Sequence, residues 1–191
     1  VDRYATYVYE PLPDSPTLNV VPGEPVKLVA VAPSRIPPGE KLTVRWRLED
    51  RWGNPVGKSR QKKYPAFTEP GCHTLSIHDK KTGLTAETNP IVVNEADGFG
   101  RFWADLHGQT EETIGTSTID DYFTFARDNA FLDACAHQGN DFQITDSFWK
   151  TIQKTTRAFY EPGKFVTFPG WEWSGNTGLG GDRNILYKSE G

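Results

Sequence analysis

Three short segments carry side chains that could do chemistry together. The first is Asp105-Leu-His107-Gly-Gln109, the second His137-Gln-Gly-Asn140-Asp141, and the third Trp171-Glu172-Trp173, followed by Asp182-Arg183-Asn184. Imidazole and carboxylate groups ligate Zn, Mn or Fe, and a carboxylate can bridge two such ions. His107, His137 and Glu172 are therefore the candidate metal ligands. Asp105 is a candidate catalytic residue that orients His107 through its second ring nitrogen. Arg183, also a candidate catalytic residue, suits an anionic substrate because guanidinium meets oxyanions with paired N–H groups. Asn184 can join it there, and Gln109, Asn140, Asp141 and Asp182 complete the expected lining. Glu172 between two Trp is hard to read as a surface acid, since burying a carboxylate without a partner is costly.

These segments need elements that bring them together. From Arg101 onward the pattern alternates strand and helix. Arg101 to Leu106 reads as a strand, and Thr118 with Asp121 three residues later reads as a capping box. Ile119, Tyr122, Phe123, Ala126 and Ala130 then form a helical stripe. Phe131 to Ala136 is the next strand. Thr145 or Asp146 caps a second helix with the stripe Phe148, Ile152, Thr155 and Phe159, which Glu161-Pro162-Gly163 ends. Phe165 to Phe168 is a third strand and Asn184 to Tyr187 a fourth. Such alternation implies parallel strands with right-handed crossovers, where reacting groups sit past the carboxyl ends of the strands. All three segments fall at those ends. Ser174 to Gly181 reads equally as a flexible loop and as a substrate lid.

The first half obeys a different period. Lys41 to Glu49 alternates, with Leu42, Val44, Trp46 and Leu48 on one face. Val26–Ala32, His73–His78 and Pro90–Asn94 are further strands, separated by Pro- and Gly-rich turns. The expectation is an immunoglobulin-like β-sandwich over residues 1–97, followed by a β/α unit over 98–191.

Composition narrows the function classes. The chain has 191 residues, net charge −4, two Cys and no Met. Residues from 96 onward hold 14 of the 25 acids and 8 of the 21 bases, which argues against nucleic acid as a partner of that half. No apolar run reaches the length of a membrane span. Two Cys cannot build a disulfide framework, and the balance leans toward a reducing compartment such as the cytoplasm. A start at Val1 and an end at Ser189-Glu190-Gly191 suggest a piece of something longer.

The same segments carry a resemblance. Trp103-Ala-Asp-Leu-His-Gly-Gln109 resembles the Asp-Leu-His-x-His opening of the PHP (polymerase and histidinol phosphatase) family. Ala136-His-Gln-Gly-Asn-Asp141 lies where that family has Thr-Asp-His, and Phe168-Pro-Gly-Trp-Glu-Trp173 resembles its Gly-x-Glu segment. The run 101–188 is closest to a branch in which a β-domain precedes the barrel. The resemblance implies a distorted seven-stranded β/α barrel and hydrolysis of phosphoesters by metal-activated water, with two or three divalent ions. It departs in three places. Gln109 stands where the family has its second His. Strand register puts Asn140 at the second-segment ligand, whereas ligand chemistry favours His137 and leaves Asp141 as a substitute. The family's later ligands have no counterpart here. The barrel is then only begun, and a further fragment, a partner chain or a swapped subunit completes it. The expected function is a metal-dependent hydrolase of phosphoesters. The alternatives are hydrolysis of an amide, a lactone or another carbon-centred bond, and a binding or assembly module without chemistry.

Overall fold

The computed structural model describes residues 14, 16, 18–95, 100–175 and 181–188. Val1, the boundary at residue 97, the middle of the Gly-rich segment and Ser189 to Gly191 lie outside the described residues. Among those described, the chain is β-rich with two α-helices.

Among the described residues of the first half the regular elements are all strands. β1 (Lys27–Val31), β3 (Leu42–Glu49) and β4 (Pro55–Tyr64) form one antiparallel sheet in the order β1-β3-β4. β2 (Arg35–Ile36), β8 (Ile91–Val93) and β5 (Gly71–His73) form a mixed sheet, β8 parallel to β2 and antiparallel to β5, and β6 (Ser76–His78) pairs with β7 (Thr85–Glu87). Alternation in β3 buries Leu42, Val44 and Leu48, which join Leu28, Ile36, Ile77, Ile91 and Val93 in one apolar core. Trp46 packs partly against that core. His73–His78, expected as one strand, is split between β5 and β6, which belong to different sheets.

The second half contains β9 (Ala104–Gly108), α1 (Ile119–Asp128), β10 (Ala134–His137), a 3₁₀ turn at Asp141–Gln143, α2 (Asp146–Phe159) and β11 (Val166–Phe168). β10 lies between β9 and β11 and is parallel to both. Thr118 caps α1 by accepting from the Asp121 N–H at 3.1 Å, and Thr145 caps α2 by accepting from Phe148 N–H at 3.2 Å. Ile119, Phe123 and Ala126 of α1 meet Phe148 and Ile152 of α2 over Cys135 and Phe165, a second apolar core.

The continuation differs from a repeating parallel series. Gly170–Trp173 is a strand of its own, β12, and β13 (Arg183–Leu186) pairs with it antiparallel. Pro169 at the exit of β11 supplies no N–H to continue the ladder, so the chain turns there. Among the described residues no helix is long and apolar enough to cross a membrane. Cys72 is exposed and Cys135 buried, and both are free thiols.

Candidate functional site

Glu172 lies on β12 directly opposite Asn184 on β13, and both reach the end of β9 at His107. An Asn184 amide N–H donates to the Leu106 carbonyl at 2.8 Å. That orientation leaves Asn184 Oδ1 as an acceptor, and it lies 2.8 Å from His107 Nδ1. The proton of His107 is therefore held on Nδ1. The other ring nitrogen, Nε2, faces Glu172 Oε1 at 3.6 Å. His107 is 55% exposed at its side chain while Glu172 is 7% exposed, so the imidazole forms the open side of the pair.

The second carboxylate oxygen of Glu172 is engaged from the other direction. Asn140 donates to Oε2 at 2.9 Å and Gln109 donates to it at 3.2 Å. Asn140 also donates to Ser174 Oγ at 2.8 Å, and its own oxygen accepts from Gln109 at 3.2 Å. The Gln109 oxygen in turn accepts from Thr113 Oγ1 at 2.6 Å. Both amides thus turn N–H groups toward the carboxylate, and both amide oxygens already have donors. An isolated bridge between Asn140 and Glu172, with Glu172 N–H donating to the Gly139 carbonyl at 2.8 Å, holds the two segments in register.

The strands are fixed by close backbone approaches. The Gln138 side chain crosses to β13 and donates to the Ile185 carbonyl at 3.2 Å. A Cβ on Gly170 would stand 2.1 Å from Gln138 Nε2 and 2.5 Å from Ile185 O, so only glycine fits there. Tyr122 of α1 lies over β9, its hydroxyl donating to the carbonyls of Asp105 at 3.4 Å and Ala136 at 3.3 Å. Burial, with the nearby Cys135 and Asp105, pushes the Tyr122 phenol well above its ordinary range.

The expected residues divide into those the fold brings together and those it does not. His107, Glu172, Gln109, Asn140 and Asn184 converge. His137 does not join them: it is fully buried, its Nε2 lies 3.0 Å from Thr110 Oγ1 and its Nδ1 accepts from Gly139 N–H at 3.2 Å. Its ring meets Phe148 edge-on, and desolvation lowers its pKa to about 4. Asp105 accepts from the backbone N–H of His107 at 3.0 Å, and Asn184 occupies the ring-orienting position expected of Asp105. Asp141 accepts from Phe142 N–H at 2.8 Å and borders a separate hollow with Trp149, Trp171 and Tyr187. Asp182 is exposed, and Arg183 is exposed with its guanidinium 5.4 Å from the Trp173 ring. Ser174 and Thr113 were not anticipated. Ser174 sat inside a glycine-rich run, and Thr113 had no signal beyond lying four residues after Gln109.

The donor set bears on metal binding. Two donors about 2.0–2.2 Å from one ion at a near-tetrahedral angle lie about 3.4 Å apart. His107 Nε2 and Glu172 Oε1, 3.6 Å apart, fit as two ligands of one ion. Among the described residues no group of three His, Cys, Asp or Glu side chains could hold a metal.

Residues 76–191 match DUF3604, a family described as proteins of unknown function. The chain belongs to this family. An uncharacterized protein of Chlamydia pneumoniae is 28% identical over 126 residues, covering 65% of this chain and 20% of that protein. An uncharacterized protein of Chlamydia trachomatis serovar D is 25% identical over 126 residues, again 65% of this chain and 20% of that protein. The matched stretch thus spans about a fifth of the length of these curated relatives. No solved structure matches.

Proposed function

We propose that this chain supplies part of the site of a metal-dependent hydrolase similar to the PHP family, acting on an anionic ester and foremost a phosphoester. The observation that carries the reading is the approach of His107 Nε2 to Glu172 Oε1 at 3.6 Å while Nδ1 is tied to Asn184. A divalent ion held by His107 and Glu172 would supply Lewis-acid charge that polarises the ester oxygen and acidifies a water. Asn184 keeps the proton on Nδ1 and so leaves Nε2 as the working nitrogen. Gln109 and Asn140 occupy Oε2 and leave Oε1 toward His107. Arg183, exposed near Trp173, meets the anionic part of the substrate. The remaining ligands come from outside this stretch, in the rest of the protein's length or in a partner chain. In this reading the first half is an immunoglobulin-like sandwich and the second the start of a distorted seven-stranded barrel. Two separate apolar cores and the parallel run β9-β10-β11 support it.

A second reading has a specific observation in its favour. Gln109 and Asn140 present N–H groups to Glu172, and each of their amide oxygens already accepts a hydrogen bond. That arrangement suits a binding or assembly module whose carboxylate is held by hydrogen bonds. Hydrolysis of an amide or lactone remains within the first reading. The two are separated by assaying the full-length protein against phosphoesters, amides and lactones, beside its His107→Ala variant. The hydrolase reading expects turnover of one class and a loss of at least about a hundredfold in the variant. Absence of turnover, or equal turnover in both, favours the module.

A further inference from the structure

A large hollow lies away from Glu172, between the all-β half and the start of β9. It is a cleft of about 770 Å³. Six cations line it: Arg35 from β2, Arg45 from β3, Lys62 and Lys63 from β4, Arg101 before β9, and Lys164 after α2. The lining holds one acid, Asp133, whose Oδ2 already accepts from the Trp103 N–H at 2.8 Å. A chain of net charge −4 thus gathers cations from five separate stretches at one place.

Edge protection accounts for only part of this. β4 is an edge strand, and lysines there discourage strand pairing between molecules. β2 is likewise an edge strand, so the reason covers Arg35 as well, but it does not extend to Arg45 of the central β3 or to Arg101 and Lys164, which lie outside the strands. Some of these cations are already engaged: Lys164 pairs with Glu161, Arg45 donates to the Phe131 carbonyl at 2.8 Å, and Arg35 donates to Asn94 Oδ1 at 2.6 Å and to the Glu95 carbonyl at 3.4 Å. Lys62, Lys63 and Arg101 have no acidic partner among the described residues. Arg45 is partly desolvated, which lowers its pKa against the opposing pull of Asp133 and Asp128.

Beside the cations stand two exposed aromatic rings, Phe102 at 76% and Trp103 at 63% exposure. The Trp103 indole N–H donates to Ser34 Oγ at 3.1 Å, which fixes the ring across the junction of the two halves. The floor is firm as well, since Phe131, a bulky residue at φ 59°, lies under the guanidinium groups of Arg45 at 5.3 Å and Arg47 at 5.6 Å. Thr43 and Gln61 add neutral hydrogen-bonding groups to the wall.

From this we infer that the cleft binds a sugar carrying an oxyanion, sulfate or phosphate. Converging cations focus the field on the anion, exposed rings take the flat face of a sugar, and Thr43 and Gln61 suit its hydroxyls. The volume is that of a small-ligand site, larger than a bare anion needs. The inference is separate from the hydrolase reading, because none of these residues belongs to the group around Glu172.

The test is a titration of the full-length protein followed by tryptophan fluorescence, with four probes: a sulfated disaccharide, its unsulfated counterpart, glucose 6-phosphate and ATP. The sulfated sugar, the phosphorylated sugar or both should bind, at least about tenfold more tightly than the neutral disaccharide and than ATP. Whichever of the two binds better identifies the anion. Raising salt from about 50 to about 500 mM should weaken that binding about tenfold or more. The double variant Lys62→Ala/Lys63→Ala should lose about tenfold. Both lysines are exposed, so the variant should keep the wild-type melting temperature. The inference is overturned if neither charged sugar binds at millimolar concentration, if the neutral sugar binds equally, if ATP binds more tightly, or if the folded double variant binds as well as wild type.

Discussion

Asn184 acts on His107 through a single forced hydrogen-bond assignment. Its amide N–H is committed to Leu106, so its oxygen can only accept, and His107 must donate from Nδ1. Asn184→Ala should release that proton, and nitrogen NMR of neutral His107 should shift toward the Nε2–H tautomer. An unchanged tautomer would remove Asn184 from the positioning role. His137 makes the opposite use of an imidazole. Its pKa of about 4 in the folded chain lies below the ordinary value of about 6.5 expected after unfolding. Between those values the unfolded chain binds a proton the folded chain does not. The stabilisation is full above about pH 6.5 and is lost as pH falls toward about 4, by at most about 3 kcal/mol. Urea denaturation at about pH 7 and about pH 4.5 should show a smaller drop for His137→Gln than for wild type. Equal drops would mean that His137 is not desolvated. Ligand chemistry pointed to His137, and strand register pointed to Asn140. Register predicted which residue faces Glu172, because backbone geometry rather than ligand affinity decides which side chain leaves the core.

At the scale of elements, the β12–β13 pair sets the position of Glu172 against His107. Gly170 is where that pair meets Gln138 and Ile185 without room for a methyl group. Gly170→Ala should destabilise the chain by about 1–3 kcal/mol and displace Asn184 from His107, visible as loss of the Nδ1 tautomer. A variant with wild-type stability and tautomer would show that the pair tolerates movement there. Thr118→Ala, which removes the cap of α1, should cost about 1 kcal/mol in thermal or urea denaturation. Both helices are legible because an amphipathic stripe behind a capping residue has few competing readings, and of the two caps open for α2, Thr145 and Asp146, Thr145 takes the position. β4 was not legible. Its ten residues, Pro55–Tyr64, include Gly57 and a run of charged side chains, as an edge strand with little to bury can afford. The antiparallel turn of β13 was also hidden, since strand direction depends on the Pro169 exit and on pairing rather than on the apolar pattern of residues 184–187.

Across the whole molecule, two apolar cores are joined by polar and aromatic contacts. Arg45 and Arg47 of β3 reach across to the carbonyls of Phe131 and Asn129, and Trp103 reaches back to Ser34. The cationic cleft at the junction was invisible in the sequence, because its six charges come from stretches up to 129 positions apart, Arg35 to Lys164. The proposed hydrolase activity requires His107 and Glu172 to act together on one divalent ion. The most direct measurement is elemental analysis of the full-length protein, purified without chelators, beside its Glu172→Gln variant. At least one Zn, Mn or Fe per chain in the wild type, and a substoichiometric amount in the folded variant, is the expected result. Metal-free wild-type protein, or equal metal content in the two, would contradict it.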